Sequence, residues 1–392
     1  MKPPQNGQKP LEDSLLHTLL VQTNRLQALP LAIVVLALAF NIALVSVAWW
    51  ATTHDPGSTL LIALIYTVAN TLDWALLWGL CATGRSFGPD KPSILALSAV
   101  KALILITLGL LNAPWWIALL PLILISSLVF YATWIEPFRL GVTTQQVVTP
   151  KMSSMAPPLR ILQIGDIHVE RITLRERALN QQIEHLKPDL IVFTGDFVNL
   201  SYTHDAAAEN DIREIISTWQ APLGVYCVPG TPIVEPIERV RAFVHDLNNL
   251  KLLENQWITV KTPSGPLHIL GLVVTHDMQR DRHLFKRMML SAPADGLKLL
   301  LMHPPDIAPE ANDAGIDLYF CGHTHGGQIR LPLIGAVFSS SHLGDRFIMG
   351  RYELGATTLY TSRGVGMEGL GAPRARFLCP PEIILWEIRG TG

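Results

Sequence analysis

The chain has 392 residues, of which 49% are apolar and 16% charged, and this length predicts two or three structural units. The formal net charge of −2 gives no indication of nucleic acid as a partner, because such proteins usually carry a basic surface. The 4 cysteines include no CxxC pair, which argues against a disulfide framework and against a structural zinc site. The apolar excess lies almost entirely in the first third of the chain.

Four long apolar runs occupy this first third. Each is long enough to cross about 30 Å of hydrocarbon, and the runs are Ala28–Trp50, Leu60–Ala82, Ser93–Leu111 and Trp115–Ile135. Lys and Arg occur in the N-terminal tail, between the second and third runs, and after the fourth, but not in the other two short loops. The positive-inside rule therefore predicts a multi-pass protein of the inner (cytoplasmic) membrane, with both termini and the soluble part in the cytoplasm.

Two charged residues interrupt these runs, Asp73 in the second and Lys101 in the third. Counted from the inner ends of their runs, both lie roughly 12–15 Å deep at about 1.5 Å per residue. Two antiparallel helices joined by a short loop could place them side by side. We therefore expect a structural ion pair. A transport or substrate role is the alternative, because charges within membranes are costly.

The remaining residues alternate between short apolar strands and helical stretches, which is typical of α/β domains whose sheets are covered on both sides. The predicted strands are Leu159–Ile164, Asp189–Phe193, Gly224–Val228, Leu267–Val274, Lys298–Met302 and Asp317–Phe320. The predicted helices include Arg175–Leu186, Asp211–Trp219 and Ile237–Asn248. The sequence thus divides into a polar cytoplasmic tail (1–26), a four-span transmembrane domain (27–136) and an α/β domain (137–392).

Carboxylate and imidazole side chains follow four of these strands, at the point where each strand stops. They are Asp166, His168, Asp196, His303, His323 and His325. Open α/β sheets place ligand sites at this edge, and imidazole together with carboxylate suits Mn, Fe or Zn. Six such groups are too many for one tetrahedral ion. They suit two metals about 3.5–4 Å apart that share one carboxylate, an arrangement that catalyses in-line phosphoryl displacement.

The order of these motifs resembles that of the calcineurin-like metallophosphoesterases. The chain reads GDIH at 165–168, TGD at 194–196, His at 303 and GHTHGGQ at 322–328. The last stretch resembles the bacterial branch of the family, which often carries N-terminal membrane segments. The resemblance covers roughly 137–390. It implies an α/β fold of the αββα sandwich type, with a pair of mixed sheets between helices, following the four-helix transmembrane region.

The resemblance also implies two divalent metal ions, Mn or Fe and Zn, and a role for each matching residue. Asp196 would bridge the two metals and, with His303, would be catalytic. The other ligands would be Asp166, His168 and His325 for the first metal, and His303 and His323 for the second.

One loop departs from the family's pattern. After the strand Gly224–Val228 the family has Gly-Asn-His, in which Asn binds the second metal and His supports charge on the leaving group. This chain reads GTPIVE at 230–235, so Thr231 takes the place of Asn as a weaker ligand and Pro232 takes the place of the acid. Losing a well-placed proton donor typically costs about 10²–10⁴-fold in rate. His276 is the replacement that the sequence offers, and a plain loop histidine is the alternative.

The resemblance implies hydrolysis of a phosphoester or pyrophosphate bond in a phosphorylated or lipid-linked small molecule. Contact with the lipid bilayer favours a substrate at its surface, and membrane-bound relatives include a pyrophosphatase acting on UDP-diacylglucosamine. A catalytically impaired metal-binding or sensing module is the alternative, because of Thr231 and Pro232. Arg171 could bind a phosphate oxygen, although a solvated residue at a helix start is the simpler explanation.

Overall fold

A computed structural model describes residues 15–391 of the chain, which fall into two compact units. The helical unit comprises the described part of Glu12–Ile135 together with Gly369–Ala375. The α/β unit comprises Glu136–Glu368 and the described residues from Arg376 onward. The sequence analysis places the boundary after residue 136 and does not foresee the grouping of 369–375 with the helices. The first fourteen residues of the predicted tail (1–14) lie outside the described residues.

The helical unit opens with α1 (Leu15–Asn24), within the stretch 1–26 predicted as a polar tail, and a 3₁₀ turn (Arg25–Ala28) that crosses the end of that stretch. Four further segments are long and apolar enough to cross a membrane. They are α2 (Leu31–Thr53), α3 (Pro56–Ala82), α4 (Lys91–Leu110) and the segment Trp115–Phe138. The last of these consists of a 3₁₀ turn (Trp115–Ala118), α5 (Leu119–Phe130) and a π turn (Tyr131–Ile135), and it ends in a second 3₁₀ turn (Glu136–Phe138) that already belongs to the α/β unit.

Helix α3 begins earlier than the apolar run predicts, and its cap explains why. The Asp55 carboxylate accepts hydrogen bonds from the backbone N–H groups of Gly57 and Ser58, each at 3.0 Å. Pro56 occupies the first helical position, where its missing N–H would have no partner in any case. The polar residues that follow are therefore part of the helix, although they lack the apolar character used to locate it.

The predicted ion pair between Asp73 and Lys101 is present. The Lys101 ammonium contacts Asp73 Oδ2, and both side chains are almost fully buried. The same ammonium donates to Ser126 Oγ at 2.7 Å, so α3, α4 and α5 each contribute one member of the cluster. A buried charge requires such partners, because its desolvation costs several kcal/mol.

The α/β unit contains two six-stranded sheets and one two-stranded hairpin. In chain order the strands are β1 (Gly141–Thr149), β2 (Leu159–Ile164), β3 (Leu190–Phe193), β4 (Val225–Cys227), β5 (Leu250–Leu252), β6 (Gln256–Thr262), β7 (Gly265–Gly271), β8 (Leu297–Leu301), β9 (Leu318–Cys321), β10 (Arg330–Leu331), β11 (Gly335–Ala336), β12 (Gly350–Leu354), β13 (Thr357–Thr361) and β14 (Glu382–Gly390). The helices are α6 (Leu174–Leu186), α7 (Ala206–Ser217), α8 (Ile237–Val244), α9 (Met278–Met289) and α10 (Ala308–Asp313).

The two large sheets pack face to face with helices outside them. The first has the order β1-β14-β2-β3-β4-β5 and the second β12-β13-β9-β8-β7-β6. A continuous apolar core joins them, in which Phe320 of β9 stacks on Trp386 of β14 with ring centroids 4.5 Å apart. Helices α6, α7 and α8 cover the other face of the first sheet, and α9 and α10 cover the second. The predicted αββα fold class is therefore confirmed.

The six predicted strands are all present, with small shifts at their ends. The sequence analysis missed β1, whose residues alternate between exposed and half-buried. It also missed α9, whose apolar face is narrow and interrupted by four Lys and Arg residues.

Replacing Lys101 by Ala is expected to destabilise the helical unit, because it leaves the Asp73 carboxylate buried without a counter-charge. The expected loss in the free energy of unfolding is about 3–5 kcal/mol, measured by thermal unfolding of the full chain in detergent. The double variant Asp73→Leu/Lys101→Leu removes both charges and should recover most of the loss. Equal destabilisation in the single and double variants would contradict the ion-pair explanation.

Candidate metal centre

The Asp and His side chains singled out in the sequence lie together at one end of the sandwich. They are Asp166 and His168 after β2, Asp196 after β3, His303 after β8, and His323 and His325 after β9. Strands β2 and β3 are parallel neighbours, and so are β8 and β9, so their following loops leave each sheet at the same edge. All six side chains are buried.

The backbone of these loops is bent sharply. Five of the six residues have positive φ angles, from 42° at His168 to 72° at His323, and only His303 does not. A left-handed backbone is uncommon outside glycine and costs about 1–3 kcal/mol per residue, so it persists mainly at functional sites. The backbone conformation that directs these side chains toward one another therefore destabilises the fold.

Glycines bring neighbouring backbone close to the two carboxylates. A Cβ atom at Gly322 would lie 2.3 Å from Asp166 Oδ2, and one at Gly230 would lie 2.0 Å from Asp196 Oδ1. Either contact is far inside van der Waals distance, so these positions require glycine. The requirement at Gly230 shows that the altered loop still packs directly against Asp196.

The first group of possible ligands comprises Asp166, His168, Asp196 and His325. The Nε2 atoms of His168 and His325 are 2.8 Å apart, and His168 Nε2 lies 3.4 Å from Asp196 Oδ2. One potential ligand atom from each residue lies within 4.8 Å of all the others. These atoms are therefore close enough to bind one ion.

The second group comprises Asp196, His303 and His323. His303 Nε2 is 3.0 Å from Asp196 Oδ2 and 3.1 Å from His323 Nδ1. Asp196 Oδ2 is thus close to ring nitrogens of both groups, as a bridging carboxylate requires.

Carbonyl and carboxylate groups outside the centre fix the orientation of three imidazole rings. His303 Nδ1 is 2.8 Å from the Thr194 carbonyl, and His323 Nε2 is 3.3 Å from the Ser340 carbonyl. His168 Nδ1 is 2.7 Å from Glu368 Oε1. At His303 and His323 a ring nitrogen that donates to a carbonyl leaves the other nitrogen to bind a metal, whereas His168 is held by an ion pair; such partners are typical of metal-binding histidines.

Glu368 is in turn held by Gln328 of the GHTHGGQ stretch. The Gln328 amide accepts from the Glu368 backbone N–H at 2.9 Å and donates to its carbonyl at 2.8 Å. Sequence analysis missed Glu368, since no motif marks it. The reciprocal pair gives the glutamine at the end of GHTHGGQ a structural explanation, because it fixes the backbone of the residue whose carboxylate contacts His168.

A buried acid, Glu235, ties the loop after β3 to the altered loop. Its carboxylate accepts hydrogen bonds from the backbone N–H groups of Phe197, Val198 (2.8 Å) and Gly230 (3.1 Å). Burial, reinforced by the charge of Asp196, raises the pKa of Glu235 to about 8. Sequence analysis did not single out this residue, although it ends the GTPIVE stretch.

The pKa values of the two central carboxylates are shifted in opposite directions. Burial raises the pKa of Asp166 to about 6. Asp196 is also buried, but the positive charges of His303 and His168 hold its pKa well below its usual range. Both carboxylates are therefore mostly ionised at neutral pH, and Asp196 is the one that keeps its charge in acid.

The pKa values of the four histidines are also shifted in opposite directions. Burial opposes charge on His168 and His303, but nearby carboxylates raise the pKa of each to about 9, above all Glu368 at His168 and Asp196 at His303. Burial and the charge of a neighbouring imidazole lower the pKa of His323 and His325 well below the usual value. The centre thus retains positive charge beside Asp196, and a divalent cation would supply that charge in place of protons.

The donor set fits divalent metal ions. Two imidazole nitrogens bound to one ion at about 2.0–2.1 Å would lie roughly 3 Å apart, close to the separations in both His pairs. Asp166 Oδ2 is buried and makes no hydrogen bond with any described residue, and an unpaired buried carboxylate oxygen is costly unless a cation neutralises it. Mixed imidazole and carboxylate donors suit Mn, Fe and Zn. The assignment of each ligand remains a prediction.

The altered loop brings Thr231 to the second group. Its backbone N–H donates to Asp196 Oδ1 at 2.7 Å, and its hydroxyl oxygen lies 3.4 Å from both Asp196 Oδ2 and His303 Nε2. Pro232 follows it and supplies no acid. The imidazole ring of His276 lies beside this group, with its centroid 5.3 Å from that of His323.

Arg171 has other partners in this structure. Its guanidinium pairs with Asp205 at 2.9 Å and lies over the Tyr202 ring, so its predicted role in phosphate binding has no support from a contact with the centre. The neighbouring Arg175 is buried and pairs with Glu176 at 2.6 Å.

Comparisons with known proteins agree with this geometry. Residues 159–327 match the family model described as calcineurin-like phosphoesterase. YkuE, an uncharacterized metallophosphoesterase of Bacillus subtilis, is 28% identical over 67% of this chain and 90% of its own. The phosphodiesterase YaeI of Escherichia coli is 29% identical over 59% of this chain and 83% of its own. LpxG of Chlamydia muridarum, a UDP-2,3-diacylglucosamine pyrophosphatase, is 26% identical over 65% of this chain and 91% of its own.

The matched segment contains all six Asp and His residues of the centre. The resemblance inferred from the motifs is therefore confirmed, and so is the predicted class of enzyme. Residues 159–327 of this chain therefore form a calcineurin-like phosphoesterase domain, and relatives named as a phosphodiesterase and a pyrophosphatase support a hydrolase.

Proposed function

We propose that this protein is a membrane-anchored phosphoesterase that uses two metal ions to hydrolyse a phosphoester or pyrophosphate bond. The observation that carries the proposal is the position of Asp196 Oδ2, within 3.4 Å of ring nitrogens from both ligand groups. Two divalent ions held there would activate a water and neutralise charge during an in-line displacement.

The residues of the centre have distinct roles in this proposal. Asp196 belongs to both groups and keeps its negative charge at neutral pH. Glu368 and the Thr194 carbonyl hold His168 and His303 with Nε2 turned inward. The remaining ligands are Asp166 and His325 in the first group and His323, with the weaker Thr231 hydroxyl, in the second.

The four apolar helices support anchoring in a membrane, and the distribution of Lys and Arg favours the cytoplasmic face of the inner membrane for the α/β unit. This location favours a substrate at the bilayer surface. The similarity to LpxG favours a lipid-linked pyrophosphate such as UDP-diacylglucosamine. Such a substrate has an anionic group for the centre and acyl chains that keep it at the surface.

A second function, a catalytically silent metal-binding or sensing module, is favoured by one observation. The Gly-Asn-His loop expected after β4 is replaced by Gly230-Thr231-Pro232, so the amide ligand and the acid are both missing. Against it, the altered loop is well packed. Its Thr231 backbone and the Glu235 carboxylate both bind the loop after β3.

Asp196→Asn tests whether the centre is an active one. The wild-type full chain should hydrolyse bis(p-nitrophenyl) phosphate with Mn²⁺, and the variant should lose about 10²-fold or more, because even residues behind the ligands contribute 10–100-fold. Asp295→Asn, at a highly exposed carboxylate, is the matched control and should retain full activity. Equal activity in wild type and Asp196→Asn, with metal still bound, would favour the silent module.

Restoring the family's loop separates the two functions. In an enzyme rebuilt around Thr231 and Pro232, the variant Thr231→Asn/Pro232→His should change kcat by less than about tenfold. In a silent module with a working remainder it should raise activity by about 10²–10⁴-fold, the usual contribution of a proton donor. Thr231→Asn alone restores the ligand without the acid, so metal content measured in both variants distinguishes the two defects.

His276→Gln tests the replacement acid. If His276 protonates the leaving group, kcat should fall about 10²-fold or more for an alkyl phosphodiester, whose leaving group needs a proton. The fall should be much smaller for a p-nitrophenyl diester, whose leaving group does not. His283→Gln, at an exposed histidine of α9, is the control. An equal fall on both substrates would point to a structural role.

A further inference from the structure

A short hairpin leaves the metal centre directly after the GHTHGGQ stretch and has an exposed apolar tip. Strands β10 and β11 pair in it, with Arg330 opposite Ala336 and Leu331 opposite Gly335. The residues from 331 to 337 include no charged side chain. Four of them are exposed apolar residues, namely Leu331, Leu333, Ile334 and Val337, and Leu333 is completely exposed.

Both ends of this hairpin are attached to the centre. At its start, the Arg330 backbone N–H donates to the Phe377 carbonyl at 2.9 Å, and the Phe377 N–H donates to Gln328 at 3.1 Å. At its end, the Ser340 hydroxyl donates to the His323 carbonyl at 2.8 Å, and the Ser340 carbonyl faces His323 Nε2. The tip therefore stands at a fixed position on the rim of the metal centre.

We expect the exposed apolar side chains of this tip to contact a partner. Burying a Leu, Ile or Val side chain contributes about 1.5–3 kcal/mol, and contiguous exposed apolar side chains mark interaction sites. Four side chains are far fewer than the 20–30 residues and about 800 Å² per partner of a stable protein interface. A lipid surface requires no interface of complementary shape, and binding to it grows with the apolar area buried and with basic groups that face anionic lipids.

Arg330 supplies a positive charge at the foot of the hairpin. One of its guanidinium nitrogens donates to the Gly326 carbonyl at 2.8 Å, which fixes the group at the foot of the hairpin. A guanidinium suits phosphate oxygens. From Leu331 the tip extends about three residues, or roughly 10 Å, which matches the depth of about 5–10 Å reached by interfacial elements.

We infer that the hairpin 330–337 inserts its tip into the acyl layer of a lipid surface, with Arg330 at the level of the phosphates. This inference rests on the proposed function and deepens it. The substrate is then an amphiphilic phosphoester taken directly from the lipid surface at the rim of the centre, and not one that diffuses in from solution.

The test measures the depth of the tip in the full chain reconstituted into lipid nanodiscs. The exposed Cys81 is replaced by Ser, and Leu333→Cys is labelled with an environment-sensitive fluorophore. We expect a blue-shifted emission and quenching by lipids that carry a nitroxide near the headgroup, more than by lipids that carry it near the chain end. Met155→Cys and Leu290→Cys, which are highly exposed outside the hairpin, are the controls and should be quenched much less.

Quenching at 333 no stronger than at the controls would overturn the inference. A blue shift without quenching by lipid would also overturn it, because the tip would then be covered by protein, such as a second copy of this chain.

An activity comparison separates this inference from the proposed function. The variant Leu333→Ser/Ile334→Ser should leave the rate on water-soluble bis(p-nitrophenyl) phosphate unchanged. It should lower kcat/KM about tenfold for a diacylglycerol p-nitrophenyl phosphodiester in mixed micelles. Equal rates on the micellar substrate would argue against the role in substrate capture. Failure of the wild type to hydrolyse either diester, with Leu333 still quenched by lipid, would overturn the proposed function and leave the lipid contact standing.

Discussion

The position of one oxygen atom, Asp196 Oδ2, is the constraint on which the centre depends. It must lie beside ring nitrogens that come from the loop after β2 in one sheet and from the loop after β8 in the other. That is possible only if the two sheets pack at a fixed separation, which the shared core and the stacked pair Phe320 and Trp386 provide. The left-handed backbone at Asp196 and the glycine at 230 then let the carboxylate approach both groups.

The loop 230–235, where the resemblance predicts Asn and His, positions Asp196. The Thr231 backbone N–H binds one carboxylate oxygen, and Glu235 holds Gly230 and the loop after β3 through backbone N–H groups. Burying the Glu235 carboxylate is costly, and three backbone N–H groups are needed to offset its desolvation. A loop without a function would not be expected to keep such an arrangement. This packing is what favours a rebuilt enzyme over a silent module.

The sequence predicted the parts of the fold whose signal is local. Continuous apolar runs identified six strands of the sandwich, and the residues after four of them identified the members of the centre. The sequence could not reveal Glu368 or Glu235, because their roles arise from contacts with residues distant in the chain, such as His168 and Phe197. Helix starts were also misplaced where a polar cap extends a helix beyond its apolar run, as at Asp55.

The position of β14 has a consequence for biosynthesis. This strand lies in the interior of the first sheet, parallel to β1 on one side and antiparallel to β2 on the other. Strand β1 has no other neighbour in that sheet, so it stays unpaired until residues 382–390 have emerged from the ribosome. The apolar helices are synthesised before the sandwich, which can close only after β14 has been made. Until then, the edge of the unfinished first sheet must be kept from pairing with other chains.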